Sequence, residues 1–294
     1  MKIKPESVLL LFVLLFIPAL THAQQQQSLI FPITDRLPPP TDAQNKPEQE
    51  EEEEFVKPSR PTVAKPTEFQ KPGVLQVEIG YDANYRGEDF DTRQSVPLAL
   101  RFAASKRLLL EINLDAVKSE TDLDGQRITG VGDTQLGFQV VAVESNESRP
   151  ALGFAYYVKL PTASEEKGLG SGRFDHKILG LVGHKFGETN IDFNAAFLVQ
   201  GREGESGWDH GGQAALAVSH QFQNNWGIIG EISGQSLDEA QPRGVYALGA
   251  LTHQVNRRFI VDAGMRFGLN PSAPRIGVFA GMTVGVFDFF KHKR

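Results

Sequence analysis

The stretch "RLLLEINLDAV" (Arg107–Val117) alternates with a period of two: Leu108, Leu110, Ile112, Leu114 and Ala116 fall on one side, and Glu111, Asn113 and Asp115 on the other. A helix would scatter these residues around its axis. A strand sends successive side chains to opposite faces, so this one has an apolar face and a wet one. The same split separates Leu75, Val77, Ile79 and Tyr81 from Gln76, Glu78 and Asp82. It separates Ile191, Phe193, Ala195, Phe197 and Val199 from Asp192, Asn194 and Gln200, and Phe259, Val261, Ala263, Met265 and Phe267 from Asp262 and Arg266.

Segments of this kind begin near Val74, Gln94, Arg107, Gly130, Ala151, Asp175, Thr189, Gly211, Trp226, Arg243, Phe259 and Arg275. Each runs about ten residues, the length a tilted strand needs to cross a bilayer. A soluble β-sandwich also alternates, with its apolar face turned inward. The connections separate the two cases. Long polar ones ("DANYRGEDFDTR", "KSETDLDGQRIT", "PTASEEKGLGSGRF", "REGESGWDHG", "QSLDEAQP") take turns with mostly short ones ("ASK", "ESNESRP", "GETN", "QNN", "NRR"). That sorting belongs to an outer-membrane barrel, with surface loops at one end and periplasmic turns at the other. The expected fold is an all-β transmembrane antiparallel barrel of about twelve strands over residues 74–290, preceded by a disordered segment. Both termini are then periplasmic, and Phe186, Phe222, Trp226 and Phe259 form an aromatic rim there. The segment from Asp175 resists assignment, because Leu179 and Leu181 share a face with Lys177 and Lys185.

The ends are different material. Lys2 and Lys4, the apolar run "VLLLFVLLFIPAL" and the small-residue site "THA" read as a cleavable signal peptide over residues 1–23, hence export. Its loss takes Lys2, Lys4 and Glu6 and moves the net charge from −6 to −7, a poor balance for binding nucleic acid. The chain has no cysteine, so thiolate metal sites and disulfides are excluded. Residues 24–73, with Lys-Pro pairs at Lys46, Lys57, Lys65 and Lys71 and the acidic run Glu50–Glu54, read as a disordered periplasmic tether of unknown partner. Residues 291–294 ("KHKR") are a basic tail.

Chemistry-bearing residues give no catalytic, cofactor or metal site. His184, His220 and His253 share the lipid side but sit on second-neighbour strands, roughly 10 Å or more apart at the usual strand spacing, too far for one metal. Asp175-His176 and Asp209-His210 lie near loops holding Ser164, Ser171 and Ser206, yet nothing aligns a serine with either histidine. Parity sends Glu78, Glu111, Asn113, Asp115, Asp133, Lys159, Asp192, Glu231, Asp262 and Arg266 into the lumen. Acids dominate this set, and they either line a watery passage or pair into a plug.

"GVGDTQLGFQVV" (Gly130–Val141), "FAYYVKLPTASEEKGLGSGRFDH" (Phe154–His176) and "NIDFNAAFLVQG" together resemble the MetA-pathway of phenol degradation family. The shared features are the G-x-GD opening, the Pro161-Thr162 strand end and the GLGSG stretch; Ala163 stands where the family usually has glycine. The resemblance implies an outer-membrane barrel passing small aromatic or hydrophobic molecules. The expected function is a passive transporter or channel whose partners are outer-membrane lipid and small solutes. The alternatives are a closed structural barrel whose loops or tether bind a partner, and a barrel-embedded hydrolase. GLGSG itself reads as a flexible surface loop.

Overall fold

A computed structural model describes residues 54–202, 206–237 and 244–290. Its strands are β1 (Val74–Tyr85), β2 (Phe90–Ser105), β3 (Leu108–Asp122), β4 (Arg127–Gly130), β5 (Thr134–Val143), β6 (Ala151–Leu160) and β7 (Asp175–Phe186). They continue as β8 (Thr189–Gly201), β9 (Trp208–Gln221), β10 (Trp226–Leu237), β11 (Gly244–Asn256), β12 (Phe259–Gly268) and β13 (Ile276–Asp288). Neighbours pair antiparallel in chain order, and β1 pairs with both β2 and β13, so the sheet closes on itself. The fourth alternating segment starts later than its sequence suggests. Arg127–Gly130 instead forms the short β4, which extends the outer end of β3, while the wall resumes with β5 at Thr134.

The apolar faces point outward. Ile79, Ile112, Phe193, Phe197, Leu251, Met265 and Phe267 are all exposed on the outer surface, as a lipid-facing wall requires. Phe186, Phe222 and Trp226 are exposed at the short-turn end, where an interfacial girdle sits. This is the end that the loop-length rule expects in the periplasm. The strand without an assignment now has one. Leu179 and Leu181 face inward and bury themselves against Ala155 and Tyr157, so the lumen carries an apolar patch among its charges.

The expectation for residues 24–73 is corrected where the structure describes them. Residues 54–73 do not hang as a disordered tether; they form a finger that enters the lumen from the short-turn end and returns. Phe55 and Val56 pack on Val74 at its base. The Lys71 amide donates to the Glu54 carbonyl (2.8 Å) and the Lys57 ammonium binds Glu68, clasping the two legs. Thr62 folds the tip by donating to the carbonyls of Ser59 (3.1 Å) and Ala64 (2.8 Å). Prolines at 58, 61, 66 and 72 deny the finger regular secondary structure, since each lacks an amide donor. The signal peptide, residues 24–53 of the tether and the tail 291–294 lie outside the described residues.

Candidate functional site: a lumen divided by the finger

The finger is held chiefly by the barrel's inward acids. Two of its backbone amides, at Ser59 and Arg60, donate to Glu78 (2.9 and 3.2 Å). The amides of Ala64 and Thr67 donate to Glu231 (2.8 Å) and Asp192 (3.4 Å). Amide Lys65 donates to Asn194 (2.5 Å), and its ammonium lies 2.8 Å from Glu111. Arg60 reaches Asp262, and Lys71 reaches Asp288 at 2.9 Å. Arg60, Lys65 and Lys71 are thus the finger's charged anchors to the wall, while Lys57 clasps its two legs. On the wall, fully buried Arg101 bridges Glu78 (3.0 Å) and Glu111 (3.7 Å), and the Tyr157 hydroxyl donates to Glu111 (2.5 Å). An unpaired buried carboxylate is costly; cations and oriented amides around these acids remove that cost.

The remaining inward residues lie beyond the fingertip. Arg266 pairs with Asp82 (3.2 Å). Lys159 sits between Asp133 (3.3 Å) and Asp175 (2.7 Å). Asn113 and Asp115 line a chamber of about 610 Å³ on the loop side of the finger, together with Glu78, Glu111, Asp133 and Lys159. A second cavity of about 210 Å³, which Asp192 lines, lies on the turn side. Arg60 and Thr62 line both cavities, so the fingertip is the partition between them.

GLGSG is not a free surface loop. Leu169 is buried, its carbonyl accepts from the Lys118 ammonium (3.1 Å), and the Lys159 ammonium donates to the Ser171 hydroxyl (2.8 Å). The β6–β7 loop therefore folds inward and walls the outer chamber. Its apolar Leu169 was the available signal, a lone large hydrophobe between glycines.

The Asp-His pairs are split across the wall. Asp175 turns in to Lys159, while His176 stacks outside on Tyr156. Asp209 binds Arg202 (2.8 Å) and His210 lies against Phe197. Strand neighbours face opposite sides, so neither pair forms a dyad. His184, His220 and His253 each lean on a separate aromatic, Phe186, Phe222 and Trp226.

Sequence reasoning missed Arg101, Lys118 and the finger's cations. Arg101 follows an ordinary alternating parity and was legible. The others were not, because a bulge shifts register before Lys118 and the finger's prolines and charges look unfit for burial.

The family described as "Putative MetA-pathway of phenol degradation" matches residues 101–285. No curated protein matches the sequence. Among solved structures, an outer membrane channel from Pseudomonas putida F1 superposes with a TM-score of 0.56 at 14% identity, over 78% of this chain and 99% of that one. The CymD monoaromatic hydrocarbon channel aligns at TM-score 0.43 and 9% identity, over 74% and 89% of the two chains. Outer membrane phospholipase A from Escherichia coli aligns at 0.42 and 11%, over 81% and 97%. The first of these likenesses establishes the outer-membrane barrel fold.

Proposed function

Because the chain belongs to the MetA-pathway of phenol degradation family, we propose that it is a passive outer-membrane channel for small solutes, occluded at rest by its own N-terminal finger. The carrying observation is the partition. Two cavities lie along the lumen, and the fingertip residues Arg60 and Thr62 border both of them. The finger is one irregular peptide held by side-chain and amide contacts. None of the ladder that closes the barrel passes through it, so it can leave without breaking the wall. The apolar side chains of Leu98, Leu114 and Leu169 in the lining of the larger cavity support solutes with a hydrophobic or aromatic body.

The same finger favours a second reading, a permanently closed structural barrel. Planar-bilayer recordings decide between them. Full-length protein should show rare openings, and deletion of residues 54–72 should give a steadily conducting pore. A deletion variant that folds and stays silent would favour the closed barrel.

A further inference from the structure

Charge pairing in the outer chamber is nearly complete. Glu78, Asp82, Glu111 and Asp133 each have a cation, and Arg60, Lys65 and Lys159 each have a carboxylate. Among the described residues, two lining groups have no ion pair within 4 Å: Asp115, whose carboxylate is hydrogen-bonded to Ser95, and Lys118, whose ammonium donates to the Leu169 carbonyl (3.1 Å). They lie three apart on β3, a spacing that puts them on opposite faces of a regular strand. The ladder to β2 shifts register here, with Pro97 opposite Asp115, Val96 opposite Val117 and Ser95 opposite Lys118. Ala116 is the extra residue of a bulge, and the bulge turns both charges into the chamber. Bulges that re-aim side chains recur beside functional sites. Proline at 97, without an amide to donate, suits the interrupted ladder. Apolar Leu98, Leu114 and Leu169 line the same space.

We propose that this chamber holds a small zwitterion with an apolar body, the chemistry of an aromatic amino acid. Its ammonium is received by Asp115, its carboxylate by Lys118, and its side chain by the leucines. About 610 Å³ lies within the usual range for small-molecule sites. A purely hydrophobic solute would give neither charge an ionic partner. A simple ion would satisfy one and be repelled by the other. This inference rests on the channel reading for its biological sense, but its test does not.

The test is equilibrium dialysis of full-length protein in uncharged detergent against three probes with one ring: L-phenylalanine, phenylacetate and phenethylamine. The Asp115→Asn/Lys118→Met double variant sets the background from micelle partitioning, and heat-modifiability confirms that each variant is folded. Phenylalanine should bind saturably and at least about tenfold tighter than either ion, since each ion forgoes one charge-assisted contact. Asp115→Asn should remove the preference over phenylacetate, and Lys118→Met the preference over phenethylamine. No saturable binding, equal binding of the three, or binding indifferent to both substitutions would overturn the proposal. Arabinose flux into proteoliposomes, measured in parallel, reports separately on the channel reading.

Discussion

Arg60 and Asp262, 202 positions apart, meet through two parallel hydrogen bonds of 3.1 and 3.2 Å. The guanidinium crosses the wall over Gly80 and Gly281, which face each other in the β1–β13 ladder, and Gly281 is in turn the register partner of Asp262. Both charged groups are largely shielded from water. Removing one partner of a buried ion pair costs about 3–5 kcal/mol. Asp262→Ala should therefore loosen the finger and raise open probability in single-channel recordings. Heat-modifiability on a gel should stay unchanged, because the ladder does not depend on this pair. Conductance like wild type would detach the pair from gating.

The glycine slot gives a steric version of the same experiment. A Cβ at Gly80 or Gly281 would collide with the Arg60 guanidinium. Gly281→Val should open the channel as Asp262→Ala does, although it removes no charge. Combining Gly281→Val with Arg60→Ala should add little, since the clash has lost its target. Additive effects would mean that the glycine serves the wall rather than the finger.

Acid should act on the clasp. Burial pushes the Glu68 carboxyl up, but the Lys57 ammonium, with Lys185 adding to it, holds it below its ordinary value. Burial likewise pushes Lys57 down, and Glu54 and then Glu68 raise it. The lowered carboxyl contributes fully above the ordinary glutamate value of 4.5 and is lost as pH falls through the depressed one. The raised ammonium contributes below 10.5 and is lost only above that. Loss of this clasp should therefore make open probability climb in acid below the ordinary glutamate value. In Glu68→Gln it should be higher at neutral pH, with a smaller acid step. Identical acid profiles for the two would place the acid response elsewhere in the lumen.

The two faces of β3 make a further prediction. Ile112 is exposed on the outer surface, while its neighbour Asn113 lines the chamber. An arginine on the lipid side near the midplane costs about 2–4 kcal/mol, and a luminal one meets water and acids. Ile112→Arg should impair refolding into bilayers. Asn113→Arg should refold normally and shift ion preference toward anions. Equal refolding yields would contradict the assignment of the faces.

Strands and loops were legible in the sequence because lipid outside and water inside impose a period of two. Leu179 and Leu181 defied that rule because the lumen contains an apolar patch as well as water. Lys118 was hidden by the bulge at Ala116, since parity carries no information across an inserted residue. The finger was hidden for a different reason. Its prolines and charges look unfit for burial when counted alone. They become fit because the barrel supplies Glu78, Glu111, Asp192, Glu231 and Asp262 as partners. A preference for inward acids was visible on the strands, and lysines were visible in the tether. Their complementarity required the closed barrel.

The central claim is that the finger must move for solute to pass. Ala64 of the finger packs against Ala215 and Ala217 of β9, and the chain contains no cysteine of its own. Ala64→Cys with Ala215→Cys therefore introduces a single thiol pair joining finger to wall. Current through this variant, recorded in one planar bilayer under oxidising and then reducing conditions, tests the claim directly. Openings should vanish when the pair is oxidised and return with reductant. A channel that conducts equally with the finger locked to the wall would contradict the account.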